Sequence, residues 1–572
     1  MKRLSVLLMT LGPVAMVVTV MTLGACAGTQ PEETAVPAAP GAAPVGPSKK
    51  SMSGDVSFEL PPTEVKGVVY EPEALGRPGM PLVNAKRPTT IEKQRALVQS
   101  TKEPIQKQAQ AAVLATMLYI ESKTDKNKER ADLEEARKAL REVAAAVGDK
   151  AVDEITLRLL GSYELLFASM DEADAEKESN AQKRRALDEQ AQKEYAAAEK
   201  VWHDLIEKDP KAKEVLESRA WLAYTQLKQF KNADALATVG SDKPDDKQPE
   251  FAYVTAWAKL RAGDGAGAWQ AIVAASRGWG QNANREELDH EILWFAGRAG
   301  IPTDQAVQAV TSLGRQKMQE FELVARLGLA SYAGAGRWAD AVAALDKALQ
   351  IGGDAVPPAD RPVVRYSQAD FTVRLDAPDA AAKFARQAIE AFDACRDKCA
   401  AKDRADMTQG VYLMGRLFHI LYATSNDKHY YEPAHELYEV SIPKLDPTNQ
   451  AQAQQDLKKL ETTLKNMKVG TGTHDKGALG ALLPRHNLEV QACYEAQLAG
   501  KPKLGGNIVV NLESDASGAI KGVATEPKAG AADLSAVAKC AADRAKLWKL
   551  PKRGMAGSTR IKLSYNFAVN KK

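Results

Sequence analysis

The sequence predicts a mostly α protein, with a long helical solenoid followed by a small α+β domain that contains an antiparallel sheet. Apolar residues recur at three and four positions from about 89 to 467, and Gly or Pro falls mainly between these runs. Small residues return on the runs at intervals of about 35 residues, which is typical of a repeat architecture. Over roughly the last 90 residues the apolar period changes to two, which indicates strands.

The first residues have the pattern of an exported bacterial lipoprotein. Lys2 and Arg3 precede an apolar stretch of 22 residues, and Cys26 follows directly after Leu-Gly-Ala, which is the order that a signal peptide needs. These last four residues resemble the bacterial lipobox, and the resemblance implies cleavage after residues 1–25 and acyl chains on Cys26. Because Ala27 rather than Asp follows, the periplasmic face of the outer membrane is favoured. An uncleaved anchor is the alternative, since 22 apolar residues could also span a bilayer.

Residues 26–88 are rich in Pro, Ala, Gly and Val and carry few large side chains. Such a composition cannot bury enough apolar surface to offset the entropy of ordering. The sequence therefore predicts a disordered tether here. Residues 56–70 alternate weakly and could become a strand against a partner.

Residues 89–470 are the predicted helical repeat domain, and Ala198 is the clearest anchor of its repeat. Tyr195 stands three positions before this small residue, Trp202 stands four after it, and Pro210 closes the copy. A proline ends the copy because the residue before it avoids helical geometry. The later anchors are Ala233, Ala268, Ala306, Ala341 and Ala381.

This order of aromatic, small, large apolar and closing Pro resembles the tetratricopeptide repeat. The resemblance implies helix pairs in which the small residue allows close approach, stacked into a solenoid with a concave surface for a protein partner. The copies at Ala268, Ala306 and Ala381 lack the closing Pro, so the array is expected to be degenerate. An irregular helical bundle is the alternative.

Residues 471–486 are predicted to be a linker, and residues 487–572 a C-terminal domain. The alternation and turn residues predict two hairpin strands, a helix and a final strand after an initial short helix. The predicted elements are a helix over 487–498, strands over 508–512 and 520–524, a helix over 534–547 and a strand over 561–569. This order favours an antiparallel sheet with its helices on one face.

The C-terminal domain also carries a set of ordered motifs. They are Cys493-Tyr494-Glu495, Pro502 with Leu504 and Gly506, Ser517-Gly518, Cys540, and Trp548 with Leu550-Pro551. This set resembles the domain named for the C-termini of AgmX and PglI, which is similar to the TonB C-terminal domain. The resemblance implies an envelope protein of the kind found in gliding-motility or trans-envelope machinery. Leu550 stands where that family prefers Phe, and Asn566 where Pro is common.

The five cysteines fit an oxidising compartment. Lipid would take Cys26, and an even number remains, for which the economical pairing is Cys395 with Cys399 and Cys493 with Cys540. For the first pair the alternative is a metal site completed from elsewhere in the chain. For the second it is a reactive redox pair.

No pattern in the sequence points to catalysis, to a metal or to a cofactor. The chain has no P-loop, no nucleophile elbow and no metal-ligand spacing among its seven histidines. A net charge of +3 names no partner, but residues 475–572 hold 16 Lys and Arg against eight Asp and Glu. That segment therefore carries +8 and leaves −5 for the rest.

Together the patterns predict a non-enzymatic scaffold in a periplasmic or outer-membrane complex. The lipid on Cys26 would bind the membrane, and the repeat array and C-terminal domain would contact envelope proteins. Export excludes nucleic acid as a natural partner. One alternative is a TonB-like energy transducer with an uncleaved inner-membrane anchor, and another is a peptidoglycan-binding protein, for which the basic C-terminal segment is the motive.

Overall fold

The structure is a computed structural model. It describes residues 56–72, 75, 80, 83, 90–124, 129–148, 151–208, 210, 215–240, 243–279, 285–395, 398–425, 427–466, 479–480, 482–527, 534–550 and 557–570. The predicted signal peptide and Cys26 lie outside these residues. Within the described ranges, no helix is both long enough and apolar enough to cross a bilayer.

The predicted mostly α fold is confirmed: successive helices pack against each other along most of the chain. The helices of this domain are α1 Ile91–Ser100, α2 Pro104–Ser122, α3 Glu129–Val147, α4 Glu154–Lys177, α5 Ala181–Lys208, α6 Val215–Lys228, α7 Asn232–Val239, α8 Pro249–Arg261, α9 Gly265–Trp279, α10 Arg285–Arg298, α11 Thr303–Thr311, α12 Lys317–Arg326, α13 Trp338–Gly352, α14 Asp360–Arg374, α15 Pro378–Cys395, α16 Ala401–Ser425, α17 Tyr431–Ser441 and α18 Pro447–Asn466. A π-helical segment, Leu327–Tyr332, extends α12.

Five successive hairpins share one turn between their two helices. Two residues after the first helix of each ends, the chain has a residue with positive φ, and these residues are Phe230, Gly263, Gly300, Gly336 and Asp376. The next residue donates its N–H to the carbonyl five positions back, as Lys231 does to Gln226 at 2.9 Å. This bond satisfies a carbonyl at the helix end and reverses the chain, so the turn sets the register of each hairpin.

The fourth residue of each second helix is a fully buried alanine. Ala268, Ala306, Ala341 and Ala381 occupy this position with no exposed surface. Each donates its N–H to the residue just before the helix, for example Ala268 to Asp264 at 2.9 Å. A larger residue at these positions would push the paired helices apart.

The predicted anchor Ala233 is wrong, because this residue is exposed and Ala235 is the buried equivalent. Phe230, three residues before Ala233, imitates the aromatic residue of the repeat, but it forms the left-handed turn with φ 58°. The second helix therefore begins at Asn232. Its anchor lies two residues later than the sequence spacing suggests.

The first copy has a different geometry. Tyr195, Ala198 and Trp202 are all buried on the long helix α5. The Trp202 ring lies so close to Gly161 that a Cβ there would be 2.8 Å from it. Helix α5 ends at Lys208, and Pro210 beyond it is exposed.

The C-terminal domain is built on a mixed sheet flanked by two helices. Its elements are β1 Val56–Glu59, β2 Thr63–Val68, α19 Asn487–Leu498, β3 Gly506–Ser514, β4 Ile520–Pro527, α20 Ser535–Ala545 and β5 Thr559–Asn570. Strand β3 pairs antiparallel with β4, which confirms the predicted hairpin, and also antiparallel with β5. The other edge of β5 pairs in parallel with β1 and β2. The alternation over residues 56–70 allowed a strand there, but its pairing with β5 of the same chain was not predicted.

The prediction of a disordered tether over 26–88 is wrong for residues 56–72, which we call the strap. Within the strap, Val65 pairs with Phe567 and only 2% of its surface is exposed. The reason is long-range: β5 supplies the hydrogen bonds and the apolar face that this Pro-rich composition lacks. The predicted linker 471–486 also reaches into the domain, since Leu483 is buried in the core of the sheet.

Both cysteine pairs lie at bonding distance. Cys395 pairs with Cys399, and Cys493 on α19 pairs with Cys540 on α20, each with Cα atoms 5.7 Å apart. The second bond joins the two helices on one face of the sheet. It closes 47 residues, whereas the first closes only four.

We expect the two disulfides to differ in their effect on stability. Replacing Cys493 and Cys540 by Ser should lower the free energy of unfolding by about 4 kcal/mol, against about 2 kcal/mol for Cys395 and Cys399, because the constraint on the unfolded chain grows with loop length. Hydrogen exchange should place the first loss in β3 and β5 and the second in α15. Equal losses, or a greater one from the short loop, would contradict this account.

Candidate functional site

The recurring turn aligns one position of every hairpin on the same side of the first helices. Two residues before the left-handed residue, four of the five hairpins carry a basic side chain and one carries a glycine. We call these residues the basic row: Lys228, Arg261, Arg298, Gly334 and Arg374. Because the turn fixes the register, the cations follow one another along the array.

Aromatic residues line the same side one helical turn earlier. Tyr224, Trp257 and Trp294 each precede a member of the basic row by four residues, the spacing at which helical side chains are neighbours. Trp257 and Trp294, on successive hairpins, stack with ring centroids 5.2 Å apart. The inner side of the array is thus a buried strip of aromatic rings and cations.

The strap covers the first half of this strip. The Tyr70 ring lies 4.7 Å from the Trp294 ring. The backbone carbonyl of Tyr70 accepts a hydrogen bond from Arg261 Nη2 at 3.4 Å. Lys228 Nζ lies 2.5 Å from a carboxylate oxygen of Glu71 and 2.8 Å from one of Glu172. These contacts are those of a peptide ligand: a ring in an aromatic site, a carbonyl on a guanidinium and a carboxylate on an ammonium.

Arg261 and Lys228 remain charged at neutral pH. Burial lowers the pKa of Arg261 to about 10. For Lys228 burial also acts to lower the pKa, but electrostatic interactions with Tyr195, Glu71 and Glu172 act oppositely, and the pKa stands well above its ordinary value. A buried ammonium is unfavourable unless it is paired. Glu71 and Glu172 therefore stabilise the charged form of Lys228 in its buried position.

Helix α19 of the C-terminal domain and the turn just before it cover the second half of the strip. Arg298 donates to the carbonyl of Ala492 at 3.1 Å and to the carboxylate of Glu495. Arg374 donates to the carbonyl of Arg485 at 2.8 Å.

The carboxylate of Glu489 is the central contact of this interface. It accepts hydrogen bonds from Trp338 Nε1 of the array at 2.9 Å and from Trp548 Nε1 of the sheet domain at 2.7 Å. His486 Nδ1 lies 2.9 Å from the same carboxylate, and its ring stacks on Trp548 at 4.5 Å. Burial acts to raise the pKa of Glu489, but these donors outweigh burial and hold the pKa below its ordinary value.

Glycines permit the close contacts at both ends of the interface. A Cβ on Gly336 would lie 2.6 Å from Glu489 Cγ, and one on Gly67 would lie 2.6 Å from the Tyr494 ring. Contact this close requires the absence of a side chain on one partner. The strap and the array therefore pack against α19 without room for an added Cβ at Gly67 or Gly336.

Most of the predicted packing residues lie in the array's core. Among them Tyr195 also contacts the strip, because Lys228 Nζ lies 5.8 Å from the centre of its ring. Sequence reasoning missed the basic row because it aligned the repeats on small residues. Aligning them on the turn would have shown it, since four of the five hairpins carry Lys or Arg at the same distance from that residue. Glu172 lies in a densely charged stretch of the sequence, and the structure places its carboxylate against Lys228.

One group of metal-type side chains is found within the described ranges, on the outside of α5. His203, Asp204 and Glu207 have ligand atoms within 4.8 Å of one another. Two of the three are exposed, and the grouping follows from helical spacing. Such acidic surface groups are common without an ion.

Comparisons with known proteins give little more. No protein-family model matches the chain, and no curated protein matches it. One similar solved structure is the Signal Transduction ATPase with Numerous Domains protein with a tetratricopeptide repeat sensor from Pyrococcus horikoshii, at 11% identity and TM-score 0.19, over 67% of this chain and 68% of that chain. Another is the human IFIT1 dimer with PPP-AAAA, at 15% identity and TM-score 0.17, over 72% and 92%. With such low TM-scores, the recurring turn described above is what defines the fold.

We expect Gly336→Ala to loosen the C-terminal domain far more than Gly300→Ala does. Both residues have φ near 70°, so either substitution should cost about 1 kcal/mol of backbone strain. Only at Gly336 would the new Cβ also strike Glu489, because nothing lies within 4 Å of that point at Gly300. Urea unfolding should show the larger loss for Gly336→Ala, with faster hydrogen exchange in α19. Equal losses would contradict the close packing.

We also expect acid to weaken the interface through Glu489. Its pKa is lowered on folding, so its ionised form stabilises the fold above the ordinary carboxylate pKa of about 4.3 and loses this effect as the pH falls further. Glu489→Gln should lower stability at pH 7 by about 1–3 kcal/mol, since an amide offers one acceptor oxygen for two indoles. The variant should also show a shallower acid loss in thermal unfolding. The exposed control Glu142→Gln should keep the wild-type profile; an unchanged profile for Glu489→Gln would refute this role.

Proposed function

We propose that this protein is a non-enzymatic, lipid-anchored scaffold of the bacterial envelope that holds other proteins by extended segments of their chains. The observation that carries this proposal is the basic and aromatic strip, whose side chains bind a carbonyl, a ring and a carboxylate of the extended strap. Helical repeat arrays use such inner surfaces to bind protein partners. In this molecule the strip already holds the chain's own strap and α19.

Several features support the envelope location. The lipobox-like sequence at Cys26 implies acylation, and Ala27 favours the outer membrane. The four remaining cysteines form two pairs at bonding distance, which is the usage expected in an oxidising compartment. The resemblance of the C-terminal domain to the AgmX and PglI domain supports a place in gliding-motility or other trans-envelope machinery.

A second candidate function is a TonB-like energy transducer. The edge of β5 that accepts β1 and β2 in parallel favours it, because a sheet that accepts an added strand can bind a partner by the same hydrogen bonds. This function requires the first 25 residues to remain as an inner-membrane anchor. The state of the N-terminus therefore separates the two candidates.

We expect mass spectrometry of the membrane-extracted protein to find an N-terminal, acylated Cys26. Cys26→Ser should abolish the acylation. The control Ser51→Ala, in the same stretch rich in Pro and Ala, should not. Tagged wild-type protein, cross-linked in its own cells, should yield an envelope protein in fixed stoichiometry, and Cys26→Ser should not. An intact N-terminal Met1 would favour the transducer, and recovery of the chain alone would contradict the scaffold.

A further inference from the structure

The strap has the properties of a resident ligand rather than of a core element. It lies at the edge of the sheet, where only β5 pairs with it. The exposed pair Pro61-Pro62 interrupts its two strands, and proline cannot donate to a ladder. Its buried positions are few and alternate, as at Val65 and Gly67.

The strap nevertheless contacts the sheet domain and the array at a specific set of residues. Val65 enters the core of the sheet, Gly67 lies under the Tyr494 ring, Tyr70 packs on Trp294, and Glu71 pairs with Lys228. The backbone between them runs parallel to β5 and ends its pairing at Val68. Residues of the array and of the sheet domain thus form one continuous groove that binds a short extended segment.

Two donors in this groove have no hydrogen-bond partner among the described residues. They are Arg261 Nε and Trp294 Nε1, both buried beside Tyr70. An unsatisfied buried donor costs free energy. A segment that supplied acceptors to these atoms would bind more favourably than the strap does.

We propose that this groove, formed by β5, Tyr494, Trp294, Arg261 and Lys228, is a binding site for an extended segment of a partner protein, and that the strap occupies it until the partner displaces it. The partner segment pairs in parallel with β5. It carries an apolar residue, a glycine two positions later, an aromatic residue three positions after that, and then a carboxylate, as the strap does from Val65 to Glu71. The groove and its sequence preference deepen the proposed scaffold function, on which the existence of a partner rests.

The probe for this site is a labelled peptide with the strap's own sequence, Thr63–Pro72. Full-length protein with Tyr70→Ala and Glu71→Ala in the strap should bind this peptide at least about tenfold more tightly than wild type, because its own occupant is weakened while the groove is intact. A peptide with Leu in place of Gly67 should not bind, because no side chain fits under Tyr494.

A charge exchange tests the register of binding. Adding Lys228→Glu to the weakened protein should abolish binding of the natural peptide, and a peptide with Glu71→Lys should restore it in part. Rescue would not follow from damage to the fold. Binding equal to that of wild type in the weakened protein, or a failure of the exchanged peptide to rescue, would overturn the proposal.

Hydrogen exchange of the wild-type protein gives an independent test that needs no variant. Amides of β2 should exchange faster than those of β3, by an opening that leaves β3 and β5 protected. Exchange of β2 only through global unfolding would show that the strap cannot be displaced. Either negative result would leave the acylation of Cys26 and the cross-linked partner unaffected, so it would overturn the groove without overturning the scaffold.

Discussion

The arrangement of the two domains depends on a buried carboxylate. Glu489, 6% exposed, accepts one indole N–H from the repeat array and another from the sheet domain, while His486 lies against it. A carboxylate removed from water is strongly unfavourable unless donors replace the lost hydration. The array and the sheet domain each supply one of these donors. Their relative position is therefore set by the need to satisfy Glu489, and the neighbouring contacts of α19 follow from it.

The same requirement explains why the inner strip of the array is covered. Repetition of one turn places a cation at the same point of four hairpins, and the aromatic rings beside them make that surface apolar. Cations on an apolar strip need acceptors, and the chain supplies them from sequence-distant parts: carboxylates and carbonyls of the strap and of α19. The repeat resemblance implied a surface for a protein partner, and in this structure the chain's own strap and α19 cover it.

The sequence predicts the features that local interactions decide, and it does not predict those that depend on contacts between distant parts of the chain. The helical tract, its repeat and the elements of the C-terminal domain follow from local period and turn residues. For the C-terminal domain the structure has these elements close to the predicted bounds. The repeat register failed at Ala233 because Phe230 took a left-handed conformation that usually belongs to glycine. The strap could not be found by composition, since β5, which orders it, lies about 500 residues away in the sequence. The basic row was present in the sequence but became visible only once the turn had defined equivalent positions.

Besides the Glu489 contacts, the charged pair Arg298–Glu495 binds the C-terminal domain to the strip. A double-mutant cycle across Arg298 and Glu495, which are 12% and 4% exposed at their side chains, measures this most directly. Arg298→Met, Glu495→Gln and the double variant would be compared in urea unfolding of the full-length protein. The account predicts a coupling free energy of about 1–3 kcal/mol between the two sites. Strictly additive losses would mean that the two side chains do not meet in solution, and would contradict it.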